Sequence, residues 1–138
     1  MSLVVEGGRY NPPYTWAGGK AAIADTVWRL LGDVPHYIEP FFGGGAVLFL
    51  RPETHHSPRR EVINDLDGFV ANFWRAAKHA PEDVAYWCNN PLNECDYHAC
   101  RVWLKPQRSV LSARLEGDPD YYDAKIAGRW AWVISAQA

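Results

Sequence analysis

No stretch of this chain approaches the roughly twenty consecutive apolar residues that a membrane-spanning helix requires, and its start lacks the charged and apolar regions of a secretory leader. An excess of positive charge is also missing: 14 Lys and Arg stand against 16 Asp and Glu, a net charge of −2 at pH 7. A surface that grips polyanions over its whole extent is thereby excluded, so any polyanion must be met by a local patch. Arg51, Arg59 and Arg60 form one candidate patch, and Lys105, Arg108 and Arg114 another. Cysteine is scarce. Cys88, Cys95 and Cys100 cannot all pair within one chain, and they lack the paired spacings of structural zinc. Cys95, His98 and Cys100 can share a helix face but read as packing residues, so no metal site is expected. The expectation is a reduced, cytoplasmic protein with no membrane partner. Internal repeats and low-complexity tracts are absent as well.

What is present is a globular composition: 138 residues, 48% hydrophobic and 14% aromatic, with seven tryptophans. That is enough chain to bury a real core. After the turn at Gly18 and Gly19, Ile23, Val27, Leu30 and Leu31 recur at helical steps, predicting a helix over Lys20–Leu31 ended by Gly32 and Pro35. "HYIEPFF" then reads as a buried strand that delivers Gly43-Gly44-Gly45. "AVLFL" is a short helix closed by Pro52, "RPETHHSPRR" a surface loop, and "EVIND" a second strand. Asp67–Ala80 predicts another helix, stopped by Pro81. Beyond it "EDVAYWCN", "NECDYHACRVWL" and "YYDAKIAGRWAWVI" read as helices, with breakers around Pro91, Pro106 and Gly117-Asp118-Pro119. The order strand, glycine loop, helix, strand, helix is half of an open α/β sheet. The expected fold is therefore α/β, a partial sheet with a mainly helical C-terminal segment. The division falls at residues 1–80 and 81–138, and the last helix looks cut in mid-element.

A glycine loop at the end of the first strand brings backbone close to a ligand, and Asp65, about twenty residues on, is placed to accept hydrogen bonds from ribose hydroxyls. NAD, FAD and S-adenosylmethionine sites all use such a loop. Glu39, in the strand just before it, would repel a pyrophosphate but suits a ligand carrying a sulfonium and an α-amino group. That favours S-adenosylmethionine over NAD. Glu39 has a second reading, an ion pair with a helix lysine such as Lys20, and the two are compatible if Lys20 binds the cofactor carboxylate.

"PPYTWAGGK", "YIEPFFGGGAV" and "INDLDGFVANFW", in this order and at these separations, closely resemble the opening half of Dam-type DNA methyltransferases that act on adenine N6. The likeness covers about residues 10 to 79, with a fainter similarity to phage and prophage members beyond. The resemblance implies a Rossmann-like S-adenosylmethionine-dependent methyltransferase fold. It implies that Trp16 and Lys20 help hold S-adenosylmethionine, that Glu39, Phe41 and the loop Gly43 to Gly45 form its methionine side, that Pro40 and Phe42 shape that loop, and that Asp65 takes the ribose hydroxyls. It further implies double-stranded DNA as partner, in a restriction-modification or phage setting, and residues 81–138 as the start of a target-recognition region.

In that family a catalytic tetrad follows a later strand of the sheet and holds the flipped adenine amine. Two segments here imitate it. "DPDYY", from Asp118, has Asp120 where the second proline belongs and no strand before it, so it reads as a helix start with an aspartate N-cap. "NPPY", Asn11, Pro12, Pro13 and Tyr14, has the better spelling, but only Leu3, Val4 and Val5 offer a strand ahead of it. It reads as an extended lead-in whose prolines fix the approach to the cofactor turn. The expectation is a cofactor-binding half without a catalytic tetrad, inactive by itself. The alternative is a non-catalytic nucleic-acid or partner-binding remnant of the same fold. A cut sheet exposes an edge and an apolar face, which predicts a homodimer.

Overall fold

The computed structural model describes residues 10–137, so the strand candidate at Leu3, Val4 and Val5 lies outside the described residues. Among these the chain forms seven helices and one two-stranded parallel sheet, a mixed α/β protein. It divides after Asp65 into two compact units.

The first unit runs α1 (Ala21–Leu31), β1 (His36–Glu39), α2 (Ala46–Phe49) and β2 (Arg60–Ile63). β1 and β2 pair in parallel with His36 opposite Arg60 and Glu39 opposite Ile63. Along β1 the two-residue period of a strand turns Tyr37 and Glu39 inward and leaves His36 and Ile38 outside. Trp28, on the buried face of α1, anchors the core with Ala24, Tyr37 and Val47. Its indole N–H donates to the Val47 carbonyl at 2.7 Å, tying α1 to α2. α1 ends at Gly32, whose φ of 70° lies in the region open to glycine.

One surface expectation fails in this unit. Arg59 is not a free surface cation: its side chain is 1% exposed and salt-bridged to Glu61 at 2.6 Å, with its guanidinium 4.7 Å from the Trp28 ring centroid and 5.2 Å from that of Tyr37. A planar guanidinium stacks on aromatic faces more readily than it stays in water when two are presented. Arg51 is likewise committed to Asp33 and to the Ser57 carbonyl. The first basic patch is therefore framework.

The second unit comprises α3 (Gly68–His79), α4 (Pro81–Cys88), α5 (Glu94–Leu104), α6 (Gln107–Gly117) and α7 (Ala124–Ser135). α7 is its centre, packed against α3, α4 and α5 and burying Ile126, Ala127, Trp130, Ala131, Trp132 and Val133. Asn72, fully buried on α3, donates to the Asp123 carbonyl at 2.9 Å and accepts from the Asp123 N–H at 2.7 Å. Both halves of its amide are thus satisfied, as a buried polar group requires.

α6 is a helix the hydrophobic pattern does not announce. Its buried residues are only Leu111 and Leu115, a single apolar pair at four-residue spacing, and Pro106 opens the helix rather than ending structure. The reading of Asp118 as a helix N-cap also requires correction. Asp118 caps the C-terminus of α6 and its Oδ1 receives the Asp120 N–H at 2.9 Å, forming a turn. The N-cap of α7 is Asp123, which accepts from Ile126 N–H at 2.8 Å. Arg75 decides between them, because its Nη1 donates to the carbonyls of Leu115, Asp118 and Tyr121 and holds that turn out of a helix. In the second basic patch Arg108 pairs with Asp67 at 3.2 Å and Arg114 donates to the Tyr121 hydroxyl at 3.1 Å.

Candidate functional site

The site is built where β1 ends. A strand that stops at Glu39 hands the chain to Pro40, Phe41 and Phe42, and Gly43 to Gly45 then turn it into α2. Gly43 and Gly45 have φ of 53° and 75°, a region that side chains disfavour. A Cβ on Gly43 would stand 2.7 Å from Trp16 Nε1, and one on Gly45 would stand 2.7 Å from both Phe42 Cζ and Phe49 Cε2. Glycine is needed here for packing as well as for conformation.

Two side chains grip Gly43 from opposite ends of its peptide units. The Asp65 carboxylate accepts the Gly43 N–H at 2.8 Å, and the Tyr14 hydroxyl donates to the Gly43 carbonyl at 2.7 Å. Tyr14 is 4% exposed and meets Trp16 edge-on, ring centroids 6.2 Å apart. The ring that the NPPY spelling would offer to a flipped base is therefore turned inward, under the glycine loop. Asn11 is exposed, and Pro12 and Pro13 are half-buried.

Glu39 is buried. Its Oε2 accepts the Tyr37 hydroxyl at 2.7 Å, and its Oε1 lies 2.6 Å from Lys20 Nζ. The ammonium is an ion-pair partner, yet no donor points at Oε1 with hydrogen-bond geometry. Lys20 also donates to the Phe41 carbonyl. Burial, and then the bond to Glu39, push the Tyr37 hydroxyl well above the usual phenol range, so it stays a donor. Lys20 stands at the N-cap of α1 without a capping bond, which leaves its side chain to the strand end. The turn from Trp16 to Lys20 is closed by the Gly19 N–H on the Trp16 carbonyl at 2.9 Å.

Lys20, Glu39, Gly43 and Asp65 thus meet around one loop, with Trp16 beneath it and Gly45 at its far end. Pro40 contributes its carbonyl, taken by Asn64 Nδ2 at 3.2 Å. Phe41 departs from the group: its side chain is 79% exposed, and only its carbonyl engages Lys20.

Three residues of this arrangement escape the sequence reading. Asn64 links the two strand ends through its N–H to Glu39 carbonyl and its carbonyl to Phe42 N–H, both 2.9 Å. Tyr37 lies two residues before Glu39 on the same strand face, a period-2 signal that was available. Tyr14 reaches a carbonyl 29 positions away, for which no local pattern exists.

An ammonium, two carboxylates and close-approach backbone can bind a zwitterionic ligand with a polyol. Residues 16–99 match the D12 class N6 adenine-specific DNA methyltransferase family, more than half of the chain. A type II methyltransferase of Lactococcus lactis subsp. cremoris is 33% identical over 84 residues, 59% of this chain and 28% of that protein. The DNA N-6-adenine-methyltransferase of Escherichia phage P1 is 34% identical over 62 residues, 45% of this chain and 8% of the phage protein. A Vibrio cholerae DNA adenine methylase is 27% identical over 101 residues, 73% of this chain and 30% of the methylase. The chain therefore spans less than a third of the length of these relatives. No solved structure matches it. On the family match, the chain belongs to the D12 class N6 adenine-specific DNA methyltransferases.

Proposed function

We propose that this chain binds S-adenosylmethionine on a Rossmann-like methyltransferase fold and serves N6-adenine methylation of double-stranded DNA. The observation that carries the reading is the convergence of Lys20, Glu39 and Asp65 on the loop Gly43 to Gly45. Glu39 Oε1, buried and without a directed donor, suits the cofactor α-amino group. Lys20 can turn from Glu39 to the cofactor carboxylate, and Asp65 has a second oxygen for a ribose hydroxyl beside the one on Gly43. When bound, the cofactor supplies the methyl group; the residues here fix its two ends. Trp16, Pro40, Phe41 and Gly45 complete the proposed site. On this reading residues 1–80 are the cofactor-binding part and residues 81–138 begin the target-recognition region.

A second reading has its own support. The inward Tyr14, bonded to Gly43, is not posed to stack on a base, which favours a chain that binds cofactor without transferring methyl. Labelled methyl transfer to duplex DNA by the 138-residue chain, lost on Asn11→Ala, would overturn that reading.

The open two-stranded sheet, with Ile38 67% and Val62 46% exposed, supports a homodimer, and a monomer mass in solution would contradict it. The main reading is tested by thermal shift. S-adenosylhomocysteine should raise the melting temperature, because it binds the folded state alone; a rise with NAD and none with S-adenosylhomocysteine would overturn it.

A further inference from the structure

Between α5 and α7 of the second unit lies a surface cavity of about 250 Å³ lined by Asp96, Ala99, Cys100, Trp103, Lys125 and Arg129. Lys125 and Arg129 stand one helical turn apart and face the same way. The Lys125 ammonium is 4.8 Å from the Trp87 ring centroid and 5.3 Å from that of Trp103, and the Arg129 guanidinium is 5.4 Å from that of Trp87. Among the described residues neither cation has a carboxylate within ion-pair distance. This separates them from Arg51, Arg59, Arg108 and Arg114, all of which are spoken for. Two held, un-neutralised cations beside a partly exposed indole form a local positive site on a chain whose net charge is −2.

The opposite wall carries Asp96. Its Oδ2 takes the Asn93 amide, which leaves Oδ1 as an acceptor toward the cavity rim. A carboxylate there opposes a second phosphate but accepts a hydrogen bond from an exocyclic amine. We propose that this cavity is a nucleotide site for an unpaired base of a DNA strand, with the phosphate on Lys125 and Arg129, the base against Trp103, and Asp96 selecting an amino-bearing base. The volume lies below the roughly 300 Å³ of the smallest drug-sized pockets, which limits the site to one nucleotide. Base stacking on an aromatic and phosphate contact by cations are the two general means of holding single-stranded nucleic acid. The proposal rests on the helical unit alone and is independent of cofactor binding.

The test is fluorescence anisotropy of labelled short oligodeoxycytidine and oligothymidine with the whole chain, over a salt series. Oligodeoxycytidine should bind about fivefold or more tighter than oligothymidine. Lys125→Gln with Arg129→Gln should weaken both and reduce the salt slope by about two. Asp96→Ala should abolish the preference while leaving the slope unchanged. Lys125→Glu, a single exposed change, checks the sign if the double variant unfolds, and it should weaken binding further. An unchanged slope in the double variant, equal binding of the two oligonucleotides, or free cytidine monophosphate binding as tightly as the strand would each overturn the site. A retained melting shift with S-adenosylhomocysteine in the same variants would show that such a failure belongs to this site and not to the cofactor reading.

Discussion

The Tyr14 hydroxyl is bonded to the Gly43 carbonyl at 2.7 Å, so that the aromatic of a catalytic-looking tetrapeptide holds the cofactor loop from below. Tyr14→Phe keeps the ring and leaves a buried carbonyl without its donor. The expected cost is about 1–3 kcal/mol, together with weaker binding of S-adenosylhomocysteine. Urea denaturation of the variant measures the first; an unchanged midpoint would mean that the bond contributes nothing.

Gly18 and Gly43 both have positive φ, but only Gly43 is crowded. A Cβ at Gly18 meets nothing within 4 Å, whereas one at Gly43 meets Trp16 Nε1 at 2.7 Å. Gly18→Ala should therefore cost only backbone strain, about 1–2 kcal/mol, and keep ligand binding. Gly43→Ala should displace Trp16 and lose it. Calorimetric titration of the two variants side by side decides this, and equal affinities would refute the close-approach argument.

Asp33 accepts the Ser57 backbone N–H at 2.9 Å, and this bond chiefly holds its carboxyl at about 2, below its ordinary 3.8. A depressed folded value means stabilisation present above pH 3.8 and lost as pH falls toward about 2. Melting temperature against pH should drop through that window, and Asp33→Asn should flatten this part of the curve. A variant with the same acid limb as the wild type would remove Asp33 from the account.

In the helical unit Gly128 lets α7 touch α4: an added Cβ would stand 2.5 Å from both Trp87 Cβ and the Val84 carbonyl oxygen. Backbone cannot yield as a flexible side chain can. Gly128→Ala should destabilise the unit by about 1–3 kcal/mol through overpacking, read by circular dichroism in denaturant. A gain in stability, as helix propensity alone would give, would show that the helices separate freely.

Much of the framework was legible in the sequence because it is written in short periods. The apolar steps of α1 and α3, the alternation in β1 and the glycines before α2 each signal their element locally. What was not legible depends on distant partners. α6 carries one buried apolar pair and was passed over. Asp118 and Asp123 are equally good caps in sequence, and Arg75, more than forty positions from Asp118, chooses between them. Arg59 reads as surface until Trp28 and Tyr37 are seen to cover it. At the site, the meeting of Lys20 with Glu39 was among the expected pairings, while the use of Asp65 and Tyr14 on Gly43 was not.

The most direct test of the central claim is isothermal titration of S-adenosylmethionine into the wild-type chain and into Asp65→Ala and Glu39→Gln. The account predicts saturable one-site binding to the wild type, loss of binding in Asp65→Ala, and strong weakening in Glu39→Gln. Absence of binding to the folded wild-type chain, or binding unaffected by either substitution, would contradict it.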